Sequence, residues 1–176
     1  FADATRPGDL VARNNHRYLS ASVSMALGAL TGDASRLQRG LTAYRSAIGA
    51  LRADGSLPLE TERGARALWY QRHAIASLVA IAELAARRGL DLYVMEVEGR
   101  RLADAVRFLA AAVEQPALVA PYARANVNPG PSERWQEQDL GFLEPRGHGR
   151  HYMAWLEPYL ARFPTSTAGV RLARAI

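Results

Sequence analysis

Apolar residues recur along this chain at the spacing of an α-helix. After Asp33, a side chain suited to capping a helix start, they fall at Leu37, Leu41, Tyr44, Ile48 and Leu51, steps of four and three that line one face. Leu102, Val106, Leu109 and Val113 repeat the pattern until Pro116 stops it. The longest helix is predicted over residues 66–88, with Leu68, Ile75, Leu78, Val79, Ala82 and Ala86 inward. Two arginines and Gly89 close it, a basic last turn followed by a residue free to turn left-handed. An earlier helix is expected to start at Asn14 or Asn15 and run through Val23, Ala26 and Leu27 to Leu30 before Gly32. Residues 151–162, with Trp155, Leu156 and Tyr159, read as a short helix. No segment alternates as a strand would, so the fold class is all-α, helical hairpins joined by short loops.

Two stretches interrupt the period. Residues 53–64 carry turn chemistry at Asp54-Gly55 and a proline at position 58, in a composition too ordered for a linker. Residues 115–135, with four prolines among asparagine and glycine, read as a long surface loop. No internal repeat stands out, although successive helix pairs of similar length suit an α/α toroid or solenoid.

Composition narrows the function classes. The 176 residues carry 22 basic groups, every one an arginine, against 17 acidic ones, for a net charge of +5. With no cysteine there is neither a disulfide scaffold nor a zinc–thiolate site. No apolar run approaches the roughly 20 residues that span a bilayer, so no membrane partner is expected. The chain opens at Phe1 with neither methionine nor leader, which reads as a processed chain or a piece of a longer one. Arginine without lysine follows from codon usage alone, yet guanidinium forks also match carboxylates and phosphates in a bidentate way that ammonium cannot. Nucleic-acid binding would rest on this charge alone.

Polar residues cluster in two places. Arg66, Tyr70, His73 and Ser77 stand four, three and four apart on the long helix, and Arg63 joins them if the helix starts a turn early. A solvent-facing side explains such a row. The second cluster, Asn14-Asn15-His16-Arg17-Tyr18, puts donors, an imidazole and a phenol within five positions at another helix start. Proton abstraction beside a carboxylate wants this mixture. The C5 proton of a uronate is removed only after its carboxylate is neutralised by Arg, Asn or imidazole donors. A tyrosine near a guanidinium can then take the proton and return it to the departing O4. That scheme needs no metal or other cofactor. Hydrolysis would need two carboxylates across the bond, and neither Glu60 with Glu62 nor Asp139 with Glu144 has supporting groups around it. His148 and His151 have no carboxylate or thiol beside them to complete a metal site.

Three blocks resemble the alginate lyase family, polysaccharide lyase family 5: residues 14–18 (Asn-Asn-His-Arg-Tyr), 54–60 (Asp-Gly-Ser-Leu-Pro-Leu-Glu) and 63–70 (Arg-Gly-Ala-Arg-Ala-Leu-Trp-Tyr). Their order, and the 54 positions between His16 and Tyr70, are similar to the family's own. The resemblance is strongest over residues 13–93; residues 155–159 and 162–164 resemble its C-terminal block. It implies an α/α toroid of helical hairpins, a periplasmic or secreted bacterial protein, and an acidic polysaccharide cut by β-elimination. Carried over by position, Asn15, His16 and Arg63 neutralise the carboxylate and Tyr70 acts as base and acid, with His16 the base for the opposite epimer. Asn14, Arg17, Arg66, Trp69 and His73 are the candidate substrate-binding residues.

The departures carry expectations too. The family has tryptophan where Leu19 stands and His-Asn-Tyr where this chain has Gln71-Arg72-His73, positions expected near the sugar subsites, so polyglucuronate or another acidic glycan competes with polymannuronate as substrate. The family domain is roughly twice as long and has several hairpins ahead of the first block. Residues 1–176 are therefore expected to form one partial domain whose toroid is completed by an N-terminal fragment or a second chain. The competing reading is a non-catalytic helical module that binds acidic glycans.

Overall fold

The computed structural model describes residues 13–125, 134–145 and 151–176. Four helices do most of the packing: α1 (Asn15–Thr31), α2 (Ala34–Gly49), α4 (Ala67–Ala86) and α5 (Leu102–Glu114). α1 and α2 form a tight hairpin. Asn14 caps α1 by accepting the His16 N–H, Gly32 ends it left-handed at φ 75°, and Asp33 starts α2 by accepting the Ser35 and Arg36 N–H groups. α4 is the central element, touching α1, α2, the short helix α3 (Pro58–Thr61), α5 and α7 (Leu156–Arg162). Among the described residues no strand forms; one isolated bridge joins Val97 to Arg100.

The periodic stripes of α2, α4 and α5 meet in one core. Tyr44, Ile48, Leu68, Ile75, Leu78, Leu102, Val106 and Leu109 are all fully buried. The Tyr44 hydroxyl donates to the Leu92 carbonyl at 2.8 Å, so the phenol is satisfied inside.

The stripe of α1 differs from expectation. Its buried face is Tyr18, Ala21, Ser22, Met25 and Gly28, whereas Val23 and Leu30 are exposed, Leu30 to 84%. Small residues decide this, because α2 approaches so closely that a Cβ on Gly28 would stand 2.8 Å from the Arg36 Cβ. Bulkier Val23 and Leu30 are turned outward.

Residues 116–123 are mostly helical rather than loop. A 3₁₀ turn at Pro116–Leu118 leads into α6 (Ala120–Ala123), and Val119 and Ala123 are buried. Residues 126–133 of the expected surface loop lie outside the described residues, as does His148. The C-terminal helix is shorter than its pattern, since residues 152–155 are turns before α7 begins. A further helix, α8 (Thr167–Arg174), capped by Ser166, packs on α5 and α7.

Candidate active site

The segment between α2 and α4 is built as a platform. Asp54 accepts the Ser56 N–H at 2.9 Å, and Gly55 takes φ 91° where an added Cβ would strike the Asp104 carbonyl. Gln71, fully buried on α4, grips the segment from below: its Oε1 accepts the Leu57 N–H at 2.9 Å and its Nε2 donates to the Gly55 carbonyl at 3.1 Å. Arg52 ties the far side, donating to Thr61 at 2.9 Å and to Glu62 at 2.5 Å. Gln71 therefore faces the platform and makes no sugar-facing surface.

On this platform Arg63 lies over the ring of Tyr70, its guanidinium carbon 4.0 Å from the ring centroid. Tyr70 is half-buried in the first turn of α4. Arg63 Nε is buried with no partner among the described residues.

A second pair stands at the start of α1. Asn15, fully buried, donates from Nδ2 to Nδ1 of His73 at 2.9 Å, joining α1 to α4. Burial, then the charge of Arg72, then that of His16 push the His73 imidazole down to a pKa of about 4, so it is neutral at physiological pH. His16 itself is exposed.

Glu60 links the two pairs. It is 1% exposed, its carboxylate accepts the Asn15 backbone N–H, and it feels the Arg63 charge. Burial outweighs both and raises its pKa to about 8. In the sequence Glu60 stands out only as half of a hydrolytic pair with Glu62. Its position as the last residue of the second block was the available signal.

The remaining candidates divide. Arg66 precedes α4 without a side-chain capping bond and approaches Asp139 at 3.8 Å, both side chains partly exposed. Trp69 turns toward the C-terminal turns, its ring 5.8 Å from Phe142 and 5.1 Å from Tyr152. Arg72 is buried between the same rings and donates to the Tyr152 carbonyl, with its pKa lowered to about 10 by burial. Of the three positions that depart from the family run, only His73 reaches the Asn15 side. Ser77 is buried and bonds back to the His73 carbonyl at 3.3 Å, so it leaves the polar row. His151 accepts the Met153 N–H and closes a turn. Asn14 is used as a helix cap, and Arg17 lines a separate cavity beside Glu60.

An all-α chain thus sets a tyrosine under a guanidinium and links it, through a buried carboxyl, to an asparagine–histidine pair. The alginate lyase family model matches residues 4–118, and the chain belongs to that family. It is 47% identical over 81 residues to a polysaccharide lyase of Stenotrophomonas maltophilia, covering 46% of this chain and 24% of that protein. It is 31% identical over 157 residues to an alginate lyase of Pseudomonas syringae pv. syringae, covering 87% of this chain and 36% of that one. Among solved structures, alginate lyase A1-III with a histidine replaced by alanine, complexed with tetrasaccharide, superposes with TM-score 0.74 at 34% identity, over 86% of this chain and 40% of that one. The same enzyme with a tyrosine replaced by phenylalanine, also complexed with tetrasaccharide, gives TM-score 0.74 at 32% identity, over 86% and 39%. The helical hairpins thus have the α/α toroid arrangement of that enzyme. The chain spans about a quarter to two fifths of the length of these relatives.

Proposed function

We propose that this chain carries the catalytic groups of a polysaccharide lyase that cuts a uronate polymer by β-elimination. The observation that carries this is the stacking of Arg63 on Tyr70, joined to Asn15 through the buried Glu60. Arg63, Asn15 and His16 neutralise the carboxylate of the sugar at the cleavage site, drawing charge toward its oxygens as C5 loses its proton. Tyr70, as phenolate, takes that proton; the C4–O4 bond breaks, C4 and C5 become doubly bonded, and Tyr70 returns the proton to O4. In the same reading His16 is instead the base for the epimer whose C5 hydrogen points the other way. The histidine and tyrosine altered in the two tetrasaccharide complexes of alginate lyase A1-III stand 54 positions apart, the separation of His16 from Tyr70.

Arg66, Trp69, His73, Arg17 and Asn14 are the substrate-binding set of this reading. The substrate is alginate, polymannuronate or a related polyuronate, met in the periplasm or outside the cell. No helix among the described residues is long and apolar enough to cross a membrane. Residues 1–176 form part of a larger toroid, completed by further hairpins from the same protein or from a second chain. Incubation with polymannuronate and with polyglucuronate tests the reading: ultraviolet-absorbing unsaturated uronate ends are expected. Glycan binding without chain shortening would defeat it, and undiminished activity in Tyr70→Phe would defeat the assigned mechanism.

A further inference from the structure

Between the start of α1, the end of α2 and α3 lies a cavity of about 200 Å³, lined by Arg13, Arg17, Tyr18, Ser46 and Glu60 with the apolar stretch 57–59 as one wall. None of His16, Arg63, Tyr70 and His73 lines it. Arg13 and Arg17 both line the cavity, and among the described residues neither has an ion-pair partner. Glu60 is almost fully buried, and its Oε1 has no hydrogen-bond partner among the described residues. A buried carboxyl oxygen without a partner costs about 1–3 kcal/mol, more if ionised. A ligand group that bonds it removes that cost.

We infer that this cavity is a second carbohydrate site, which takes a single sugar acid with its carboxylate toward Arg13 and Arg17 and its hydroxyls toward Glu60, Tyr18 and Ser46. Two forked donors suit a carboxylate. A hydroxyl both donates and accepts, so it satisfies Glu60 whether that carboxyl is protonated or ionised. A phosphate would set two negative charges against an acid that is partly ionised near neutral pH. The apolar wall suits the C–H face of a sugar ring. The choice of a sugar acid rests on the lyase reading, because the polymer that a polyuronate lyase binds is built of such acids. Glu60 also accepts the Asn15 N–H and faces Arg63, so a sugar bound here touches the same carboxyl that joins the two halves of the candidate active site.

Titration of the whole chain with D-glucuronate, read by calorimetry and by amide NMR shifts, tests this. Saturable binding is expected, with shifts at Tyr18 and residues 57–60. Glucose and acetate should each bind at least tenfold more weakly. Tyr18→Phe, and separately Arg13→Gln with Arg17→Gln, should weaken glucuronate at least tenfold while leaving the circular dichroism of the helices unchanged. Tyr70→Phe should bind it as the parent does. No saturation at millimolar glucuronate overturns the proposal. Equal binding of acetate, loss of binding in Tyr70→Phe, or full binding in both cavity variants overturns it as well. Since binding is read without turnover, a chain that binds glucuronate but cleaves no polyuronate defeats the lyase reading alone.

Discussion

Asn15 Nδ2 and His73 Nδ1 are 2.9 Å apart, and the bond holds only while the imidazole is neutral with its proton on Nε2. Asn15 is fully buried, so its amide has no solvent to turn to. His73→Phe keeps a ring in place but strands that amide. A loss of about 1–3 kcal/mol in urea unfolding is expected, with a fall in kcat from misaimed Asn15. His73→Gln, which restores an acceptor, should recover much of both. Equal damage in the two variants would show that the ring acts by packing alone.

Stability should respond to pH through two opposed groups. The His73 pKa is lowered to about 4, below the ordinary histidine value of 6.5, so the unfolded chain binds its proton more readily. That contribution is present above pH 6.5 and is lost as pH falls through 4. The Glu60 pKa is raised to about 8 from 4.5, so its contribution is present below pH 4.5 and is lost as pH rises through 8. The two offset each other between about 4.5 and 6.5, and net destabilisation follows from 6.5 to 8. Glu60→Gln should remove the alkaline loss, leaving a stability that rises to pH 6.5 and then stays level. Urea midpoints at half-unit pH steps would show this, and an unchanged alkaline slope would refute it.

Removing the guanidinium over Tyr70 should cost chemistry more than stability. Arg63→Gln is expected to lower kcat/KM roughly 10²–10³-fold, the range for losing one preorganised donor. The half-exposed side chain leaves the melting temperature within a few degrees. Steady-state kinetics on the preferred polyuronate, with thermal unfolding beside it, separates the two effects.

Gln71 supports the site from beneath. Gln71→Leu leaves the Leu57 N–H and Gly55 carbonyl without partners, for a loss of about 2–4 kcal/mol. Because Glu60 and Arg63 follow on the same segment, activity should fall even at temperatures where the variant is folded. Comparing kcat at 10 °C with the urea midpoint tests this.

Arg72 is a buried cation with three aromatic rings around it, their centroids 5.0–5.8 Å away. Its charge helps to hold the His73 pKa down. Arg72→Met keeps the packing of the stem and removes the charge, so the His73 imidazole should titrate at higher pH by NMR. An unmoved titration would mean that burial and the His16 charge depress it without help from Arg72.

Several features were legible in the chain because they repeat locally. The stripes of α2, α4 and α5 recur every three or four residues and need no knowledge of a partner. Asn14, Asp33 and Gly32 mark helix ends by backbone chemistry confined to one turn, and His16, Arg63 and Tyr70 stood out from side-chain type and spacing. Tertiary structure decided what depends on approach between distant segments. Close packing at Gly28 turned α1 so that Val23 and Leu30 face outward, and Gln71 went to the platform rather than the cleft because two backbone groups there lacked partners. Glu60 became the link between Asn15 and Arg63 because burial brings together residues 45 and 3 positions apart, and sequence carries no sign of desolvation.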